Sequence, residues 1–530
     1  MRELNILANR ILDWVETEPG LDVLTFVDID KGGNFVEETR TYQQLWDNAQ
    51  RWATWLQARG MKKGDSFAIM MANHPEFVEL MVASSILGTV FVPIDPRTKG
   101  HKLNYMVSFA KCKGIVVADY ALAAVEAANK GNNDIWTVTV GAASNGYPRA
   151  KDILSKALPN PLLAVASTDP NAAMQILYTS GTTGDPKAIL SSHARFASAA
   201  VLGDILGLTT DDRPYTGLSL THVNAQVITL GNILTRGLRG VISRKFTKSR
   251  IWDIARHYSC TWFNLLGGMT TAIYAEAPKE NDANNPVRII LSAGMPAAIW
   301  QDFSRRFGIK LNEFYGAAEG GLTLNPAGVG PMGSCGQVAP SMELKIFGEQ
   351  GQECAPGEVG EICFRNIDGS APDVKYYRNQ EATEKKTVGG WLRMGDMGHV
   401  DENGWLFFHY RKGGAIRRNG DFIDPGFVEK ALSQVNCIDD VFVYGVPAAS
   451  GAPGEKDIVA AVVVTEAFDA EQVFSVVRKN LETNCVPSYL QVVGEIPKTA
   501  SEKPQERILL DSFSIADENI YSAVSAASLA

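Results

Sequence analysis

Apolar side chains recur along the N-terminal part of the chain with two periods, one typical of helices and one typical of strands. Residues 41–59 place apolar side chains at helical spacing and are followed by Gly60, so a helix is predicted there. A second helix is predicted over 77–87, and strands are predicted over 66–71, 89–94 and 113–118. Strands that alternate with helices indicate an α/β fold, with mixed parallel sheets covered by helices.

The pattern changes towards the C-terminus. Residues 388–408 have the pattern of short strands joined by glycine-containing turns, and a polar, basic stretch follows at 411–420. Two helices and two strands are predicted beyond it, over 425–435, 441–445, 458–464 and 470–480. We therefore predict a large N-terminal domain with a β-subdomain over residues 1–410. A small α+β domain is predicted over 411–530, with a hinge at about 411–414.

Composition and charge exclude several classes of protein. The 530 residues are 45% apolar and 21% charged, as in ordinary soluble globular proteins. The net charge of −9 argues against binding to nucleic acid or to an anionic membrane. The longest apolar run, 81–94, is interrupted by polar residues and is too short to span a bilayer, so no membrane span is predicted. Seven cysteines without a Cys-x-x-Cys pair argue against disulfides or a zinc site, and we expect a cytoplasmic protein.

A loop rich in hydroxyls and glycine is the most informative segment of the chain. It follows an apolar run at 172–177 that predicts a buried strand. Backbone N–H groups and hydroxyls of such a loop can surround polyphosphate oxygens, while a lysine adds a point charge. The spacing does not fit a Walker loop, and a flexible surface loop is the alternative. The predicted phosphate-binding residues are Thr179, Ser180, Gly181, Thr182, Thr183, Gly184 and Lys187.

Five segments in order carry a resemblance to a known family. Residues 180–187 match the pattern S-G-T-T-G-x-P-K in full. Segments at 315–319, 391–396, 411–420 and 497–503 resemble the later motifs Y-G-x-T-E, G-W-x-x-T-G-D, R-x-x-x-x-I-x-x-x-G and P-x-T-x-x-G-K. Between about residues 41 and 509 the chain thus resembles the AMP-forming, adenylating enzymes: acyl-CoA synthetases, luciferases and peptide-synthetase adenylation domains. Among these it is most similar to bacterial acyl-CoA ligases, and more distantly to the carnitine/crotonobetaine type.

The resemblance implies a reaction in two halves. A carboxylic acid attacks the α-phosphorus of ATP to give acyl-AMP and pyrophosphate, and the thiol of CoA then displaces AMP while the small domain swings. Lys503 is the implied cation at the acid and the α-phosphate, where charge develops. Glu319 is the implied ligand of Mg2+. The alternatives are a solvated tail lysine for Lys503 and a helix-start carboxylate for Glu319.

Further positions are assigned to the nucleotide by the same resemblance. Asp396 would accept hydrogen bonds from the ribose hydroxyls, and Arg411 would donate on the ribose or phosphate side. Tyr315 would stack on adenine, with Gly316 allowing close approach of the backbone. A turn aspartate and a hinge-surface arginine are the alternatives for Asp396 and Arg411. The remaining predicted nucleotide-binding positions are Ala293, Gly294 and Ala318.

Two more groups of residues follow from the resemblance. The acyl pocket is predicted at His222, Asn224, Trp262, Asn264, Gly267 and Gly268, where the two glycines would leave volume and ordinary core packing is the alternative. The hinge and the CoA passage are predicted at Gly413, Arg418, Asn419 and Gly420. A homodimer is compatible with the sequence but is not required by it.

Two departures from the family pattern keep alternatives open. Ala318 stands where the family has Thr or Ser, and Glu502 stands where glycine precedes the lysine. A carboxylate beside Lys503 could hold its amine away from an anionic phosphate. The predicted function is an acid–CoA ligase that uses a carboxylic acid, ATP, CoA and Mg2+. The alternatives are an enzyme that mainly converts a supplied acyl-AMP to the CoA thioester, one that loads a carrier protein, and a non-catalytic binding protein.

Overall fold

The described part of the chain divides into two compact units. The computed structural model describes residues 2–128, 135–178, 186–297, 299–412, 414, 416–418, 421–449, 456–481, 483–499 and 502–523. The first unit comprises Met1–Asn264, Asn285–Ile290 and Val374–Thr383, and the second comprises Leu265–Asn284, Leu291–Asp373 and Glu384–Ala530. The domain boundary near residue 411 stays a prediction, since residues 384–530 fall in one unit with earlier segments.

Helices and strands alternate through the chain. The α-helices of the described residues are α1 Leu7–Thr17, α2 Tyr42–Ala58, α3 Pro75–Leu87, α4 Gly100–Phe109, α5 Leu122–Ala128, α6 Ala150–Leu154, α7 His193–Ala197, α8 Ala199–Ile205, α9 Gly231–Arg236, α10 Ile251–His257, α11 Gly267–Tyr274, α12 Trp300–Phe307, α13 Gln380–Lys386, α14 Pro425–Leu432, α15 Ala470–Asn480 and α16 Glu506–Ser512. A π-helix occupies Asn224–Leu230, and short 3₁₀ turns lie at Asp119–Ala121, Val388–Gly390 and Thr483–Cys485.

The strands group into several sheets. They are β1 Asp22–Ile29, β2 Phe35–Thr41, β3 Ser66–Met70, β4 Val90–Ile94, β5 Cys112–Ala118, β6 Trp136–Val140, β7 Ala173–Tyr178, β8 Ala188–Ser192, β9 Pro214–Thr216, β10 Gly240–Ser243, β11 Trp262–Leu266, β12 Ile289–Ala293, β13 Leu311–Ala317, β14 Gly320–Asn325, β15 Gln337–Val338, β16 Met342–Phe347, β17 Gly360–Asn366, β18 Leu392–Val400, β19 Leu406–Arg411, β20 Ile416–Arg418, β21 Asp421–Ile423, β22 Ile438–Pro447, β23 Lys456–Val464, β24 Tyr489–Val492 and β25 Ile520–Ser522.

The first unit is built on parallel strands. One sheet has the order β6-β5-β3-β4-β7-β8, in which β3, β4, β5, β6 and β7 pair in parallel and β8 returns antiparallel. A second set of strands has the order β11-β9-β10-β1-β2, parallel except for β2. The residues of β3 and β4 are all buried, which explains why their sequences are continuous apolar runs rather than alternating ones.

Helices α2 and α3 begin at or near the residues that the sequence pattern predicts. Helix α2 begins after Thr41, whose hydroxyl accepts from the Gln44 N–H while the Gln44 side chain accepts from the Thr41 N–H, a capping box. The predicted helix over 77–87 starts two residues earlier at Pro75, because proline is favoured in the first helical turn. The prediction of an α/β fold with parallel sheets covered by helices is confirmed.

The second unit contains mostly antiparallel sheets. Strands β12, β13, β14 and β15 are neighbours in that order, and β16, β17, β18 and β19 form a four-stranded meander. In the C-terminal part, α14 and α15 share a core with β22, β23 and β24. The helix predicted over 470–480 is confirmed, and the helix predicted over 425–435 ends earlier, at Leu432. Among the described residues, none of the helices combines the length and the apolar character needed to cross a bilayer.

Candidate functional site

A buried carboxylate, Asp396, connects three of the predicted site residues. Asp396 lies on β18 directly opposite Arg411 on β19. The Arg411 Nε donates to Asp396 Oδ1 over 2.8 Å, and the Tyr315 hydroxyl donates to Oδ2 over 2.6 Å. Only 4% of Asp396 is exposed. Two adjacent strands and β13 therefore bring these residues together, as the sequence predicts.

The interactions in this cluster keep the Tyr315 phenol neutral and the Arg411 guanidinium charged. Burial and the adjacent Asp396 carboxylate raise the pKa of Tyr315 well above its ordinary value, so the phenol remains a neutral donor. The hydrogen bond to Asp396 raises the pKa of Arg411, which stays charged. The Tyr315 ring stacks against Phe364 and Phe408, with ring centroids 6.2 and 6.3 Å apart. Sequence reasoning missed these two phenylalanines, because β17 and β19 belong to a different sheet from β13 and only tertiary packing places their rings beside Tyr315.

Glu319 lies in a tight turn rather than at a helix start. Ala317 pairs with Gly320 across β13 and β14, so Ala318 and Glu319 are the two residues between the strands. The alternative interpretation of Glu319 as a helix-start carboxylate is therefore wrong. Gly316 is required by close packing, since a Cβ there would lie 2.8 Å from the carbonyl oxygen of Gly321. The turn presents Ala318 and Glu319 half-buried.

A second buried carboxyl, which the sequence analysis did not predict, supports the turn after β12. Ala293 ends β12, and Gly294 follows with a φ of +89°, a conformation that favours glycine. The N–H groups of Gly294 and Met295 donate to Glu313 Oε1 over 2.5 and 3.0 Å. Glu313 is 2% exposed, and its Oε2 accepts no hydrogen bond from any described residue. Burial raises the pKa of Glu313 to about 8, although the two N–H groups act in the opposite direction.

Two hydrogen bonds join Lys503 to Thr499, four residues earlier in the chain. The Thr499 N–H donates to the Lys503 carbonyl over 2.8 Å, and the Lys503 N–H donates to Thr499 Oγ1 over 3.2 Å. Glu502 adopts a φ of +57°, the left-handed conformation that glycine adopts without strain. The family pattern has glycine at this position, so the structure explains the motif and shows Glu502 to be a strained substitute.

The Lys503 ammonium lies within electrostatic range of the Asp396 cluster. Packing around the ammonium and then the Arg411 cation lower the pKa of Lys503, while Asp396 and Glu319 act to raise it. The residue as a whole is exposed to solvent, so water screens these charges in part. The second unit thus brings the charges of Lys503, Arg411, Asp396 and Glu319 near one another, and Tyr315 joins them through its hydrogen bond to Asp396. This arrangement offers two cations and two carboxylates to one ligand.

The phosphate-binding loop is described only at its end. Residues Thr179, Ser180, Gly181, Thr182, Thr183 and Gly184 lie outside the described residues. Lys187 directly precedes β8, and its Nζ is 5.4 Å from the centroid of the Tyr376 ring. Two main-chain hydrogen bonds fix the segment that carries Tyr376 beside this strand, Tyr377 N–H to the Ala188 carbonyl and Leu190 N–H to the Lys375 carbonyl. The aromatic contact was not predicted.

The predicted acyl-pocket residues of the first unit form a polar cluster at a π-helix. His222 and Asn224 precede and begin this helix, Asn224–Leu230, a rare form that is frequent at functional sites. The Asn264 amide donates to Asn224 Oδ1, and the Thr229 hydroxyl donates to Asn264 Oδ1 over 2.8 Å. Trp262 is fully buried, the geometry of core packing. Their role in acid binding stays a prediction.

Gly267, one of the two glycines after β11, does not leave the volume that was expected. A Cβ on Gly267 would lie 2.5 Å from the Gly294 carbonyl oxygen, so backbone fills this space. A Cβ on Gly268 would lie 3.5 Å from the Glu502 carbonyl oxygen and 3.7 Å from Lys498 Nζ. The expectation of free volume is therefore wrong at Gly267. At Gly268 an added Cβ would make ordinary van der Waals contacts, and the predicted role of this position in acid binding stays a prediction.

The predicted hinge and CoA positions are only partly described. Gly413, Asn419 and Gly420 lie outside the described residues. Arg418, on β20, donates through Nη1 to the carbonyls of Asn484 and Val486 over 3.2 and 2.5 Å. These bonds tie the β20-β21 hairpin to the segment before β24. A role of Arg418 towards CoA stays a prediction.

Comparison with known proteins identifies the family to which this chain is similar. Residues 13–369 match the family described as AMP-binding enzyme, and residues 428–503 match the AMP-binding enzyme C-terminal domain. A medium/long-chain-fatty-acid–CoA ligase of Mycobacterium marinum, FadD17, is 28% identical over 453 residues, 83% of this chain and 85% of the relative. A crotonobetaine/carnitine–CoA ligase of Salmonella heidelberg is 27% identical over 478 residues, 87% of this chain and 91% of the relative. The crystal structure of the anthranilate CoA ligase AuaEII with anthranoyl-AMP gives a TM-score of 0.83 at 21% identity, covering 96% of each chain.

The chain therefore belongs to the AMP-binding enzyme family. The resemblance to AMP-forming acyl-CoA ligases, including the carnitine/crotonobetaine type, is confirmed, and so is the two-part α/β fold. The roles of the individual site residues stay predictions, since these matches do not address them.

The strain at Glu502 gives a first testable prediction. Glu502→Gly should raise the free energy of unfolding by about 0.5–1 kcal/mol, because glycine adopts the left-handed conformation without a Cβ clash. It should also speed acid-dependent ATP–pyrophosphate exchange, since the carboxylate beside Lys503 is removed. Glu502→Gln is the matched control, because it removes the charge and keeps the strain. Loss of stability in Glu502→Gly on urea unfolding would contradict this account of the loop.

The pKa of Glu313 gives a second prediction. A carboxyl whose pKa is raised on folding contributes stability below its unfolded pKa, and this contribution is lost as pH rises through about 8. The free energy of unfolding of Glu313→Gln, relative to the wild type, should therefore increase between pH 5.5 and pH 9, by about 3 kcal/mol. Urea unfolding at several pH values measures this difference. Exposed Glu349→Gln should show no such trend, and a flat difference for Glu313→Gln would refute the assignment.

Proposed function

We propose that this protein is an acid–CoA ligase that works through an acyl-AMP intermediate. In the first half, a carboxylate oxygen of the acid attacks the α-phosphorus of ATP, and the bond to the bridging oxygen breaks to release pyrophosphate. In the second half, the sulfur of CoA attacks the acyl carbonyl, the thiol proton is lost and AMP leaves. The observation that carries the proposal is the convergence of Lys503, Arg411, Asp396 and Glu319 in the second unit.

Asp396 is suited to hold the ribose. A carboxylate has about four lone-pair directions. Arg411 and Tyr315 use some of them through three donor contacts and leave acceptor capacity for hydroxyl groups. Arg411 also places a positive charge beside the buried carboxylate. The Tyr315 ring would present its free edge or face to adenine beside Phe364 and Phe408.

Lys503 and Glu319 are suited to the phosphates. The ammonium of Lys503 would stabilise the negative charge that develops at the α-phosphate during attack. Mg2+ usually binds one or two carboxylates together with phosphate oxygens of the substrate. Glu319, half-buried in its turn, fits the role of that carboxylate, and the ion would neutralise charge on the leaving pyrophosphate.

Ala318 favours a second candidate function. Loss of a hydroxyl donor to a charged group costs about 1.5–3 kcal/mol, roughly 10- to 150-fold in rate. The strained Glu502 beside Lys503 adds a carboxylate where the family has none. An enzyme with a slow adenylating half and an efficient thioester half is therefore the second candidate.

A panel of carboxylic acids should identify the acid that this enzyme activates. The named relatives suggest medium- and long-chain fatty acids, betaines and aromatic acids as the classes to include. Formation of AMP and of CoA thioester should both depend on one class of acid. Acid-dependent ATP–pyrophosphate exchange without CoA thioester would favour a carrier protein as acceptor. Thioester from supplied acyl-AMP only would favour the second candidate, and neither reaction with any acid would refute the proposal.

The role of Lys503 can be tested by the half-reactions. Lys503→Ala should slow acid-dependent ATP–pyrophosphate exchange by about 100- to 1000-fold, the usual effect of losing one donor to a developing anion. Thioester formation from a supplied acyl-adenylate should persist, because that half does not need this cation. Lys479→Ala, on exposed helix α15, is the matched control and should leave both rates unchanged. Equal damage to both half-reactions in Lys503→Ala would contradict the assignment.

A further inference from the structure

The Lys187 ammonium lies beside the face of an aromatic ring from a distant segment of the first unit. Lys187 directly precedes β8, and Tyr376 belongs to residues 374–383, which fall in the same unit. The Lys187 Nζ is 5.4 Å from the centroid of the Tyr376 ring, within the limit of about 6 Å for cation–π attraction. The contact therefore joins a predicted phosphate-binding lysine to a side chain that the sequence analysis did not single out.

The ring is more fixed than the amine. Tyr376 is 6% exposed, whereas Lys187 is exposed to solvent. Tyr376 forms an antiparallel bridge with Ile189 on β8, and its N–H donates to Thr383 Oγ1 over 3.0 Å. Lysine carries its charge on a flexible four-carbon stem. A ring held in this way can therefore restrict the positions that the ammonium occupies.

A ring face suits a cation that must also bind phosphate. The quadrupole of an aromatic ring places negative charge on its face, which attracts an ammonium. Unlike a carboxylate, the ring adds no formal charge that would compete with an anionic phosphate for the same lysine. At an exposed site the attraction changes an equilibrium constant by only about two- to fivefold, so the ammonium can still move towards a ligand.

We propose that the face of Tyr376 positions the Lys187 ammonium for the phosphates of ATP. Tyr376 is a positioning residue, since it acts through Lys187. The inference rests on the proposed function, in which ATP is a substrate, and on the predicted role of Lys187. It extends that function to a buried tyrosine outside the predicted site.

Substitutions at position 376 separate the charge distribution of the ring from its volume. The affinity of the full chain for ATP in the presence of Mg2+ is measured by isothermal titration calorimetry. Tyr376→Phe keeps the ring face and should leave the Kd within about 1.5-fold of the wild type. Replacing Tyr376 by pentafluorophenylalanine keeps the ring shape and reverses its charge distribution. This replacement should raise the Kd by about two- to fivefold relative to Tyr376→Phe.

Removal of the lysine charge tests whether the ring acts through Lys187. In a Lys187→Met background, the same fluorination should change the Kd by less than about 1.5-fold. Pentafluorophenylalanine at position 377 is the matched control, because the Tyr377 ring contacts Phe109, with ring centroids 5.9 Å apart. It should leave the affinity unchanged. An equal effect of fluorination at position 376 with and without the lysine charge would overturn the proposal, and so would an unchanged Kd after that fluorination.

A readout without nucleotide keeps the inference separate from the proposed function. The ring face stabilises the ammonium, but not the neutral amine that reacts with an acetylating reagent. Mass spectrometry should therefore show Lys187 acetylated about two- to fivefold faster with pentafluorophenylalanine than with phenylalanine at position 376. Equal acetylation rates would refute the contact. Failure of the wild type to bind ATP, together with different acetylation rates, would refute the proposed function and leave the ring contact supported.

Discussion

The buried carboxylate of Asp396 is the interaction on which the rest of the site depends. A carboxylate that is 4% exposed is stable only with charged or polar partners, and Arg411 and Tyr315 supply them. These partners come from β19 and β13, so one carboxylate connects three strands, through an ion pair to β19 and a hydrogen bond to β13. The same carboxylate attracts Lys503, whose loop comes from the C-terminal part of the chain.

The charges explain how an acidic protein can handle an anionic cofactor. The net charge is −9, yet the cations of Lys503 and Arg411 lie near enough for Arg411 to lower the pKa of Lys503. Asp396 and Glu319 offset this repulsion in part. A bound phosphate would offset it further, and loss of pyrophosphate would weaken the hold on Lys503. In the proposed cycle, this change in charge favours departure of the loop after adenylation.

The sequence predicted the elements more fully than the contacts between them. Local pattern located α2, β3 and α15, because capping residues and apolar runs act over short distances. Motif order also identified Asp396 and Arg411, whose pairing the register of β18 and β19 then explained.

Features that depend on tertiary packing were not predictable. The ring of Phe408, the buried Glu313 and the contact at Gly268 involve residues far apart in the chain, and nothing in their local sequence marks them. Gly267, after β11, shows the error most clearly. The missing side chain of Gly267 was taken as open volume, whereas the Gly294 backbone fills that space.

A crystal structure with bound AMP tests the central claim most directly. The account predicts that the ribose hydroxyls lie within about 3 Å of the Asp396 carboxylate oxygens, with the phosphate on the side of Lys503 and Glu319. AMP bound away from Asp396, with the Arg411 and Tyr315 contacts unchanged, would contradict it.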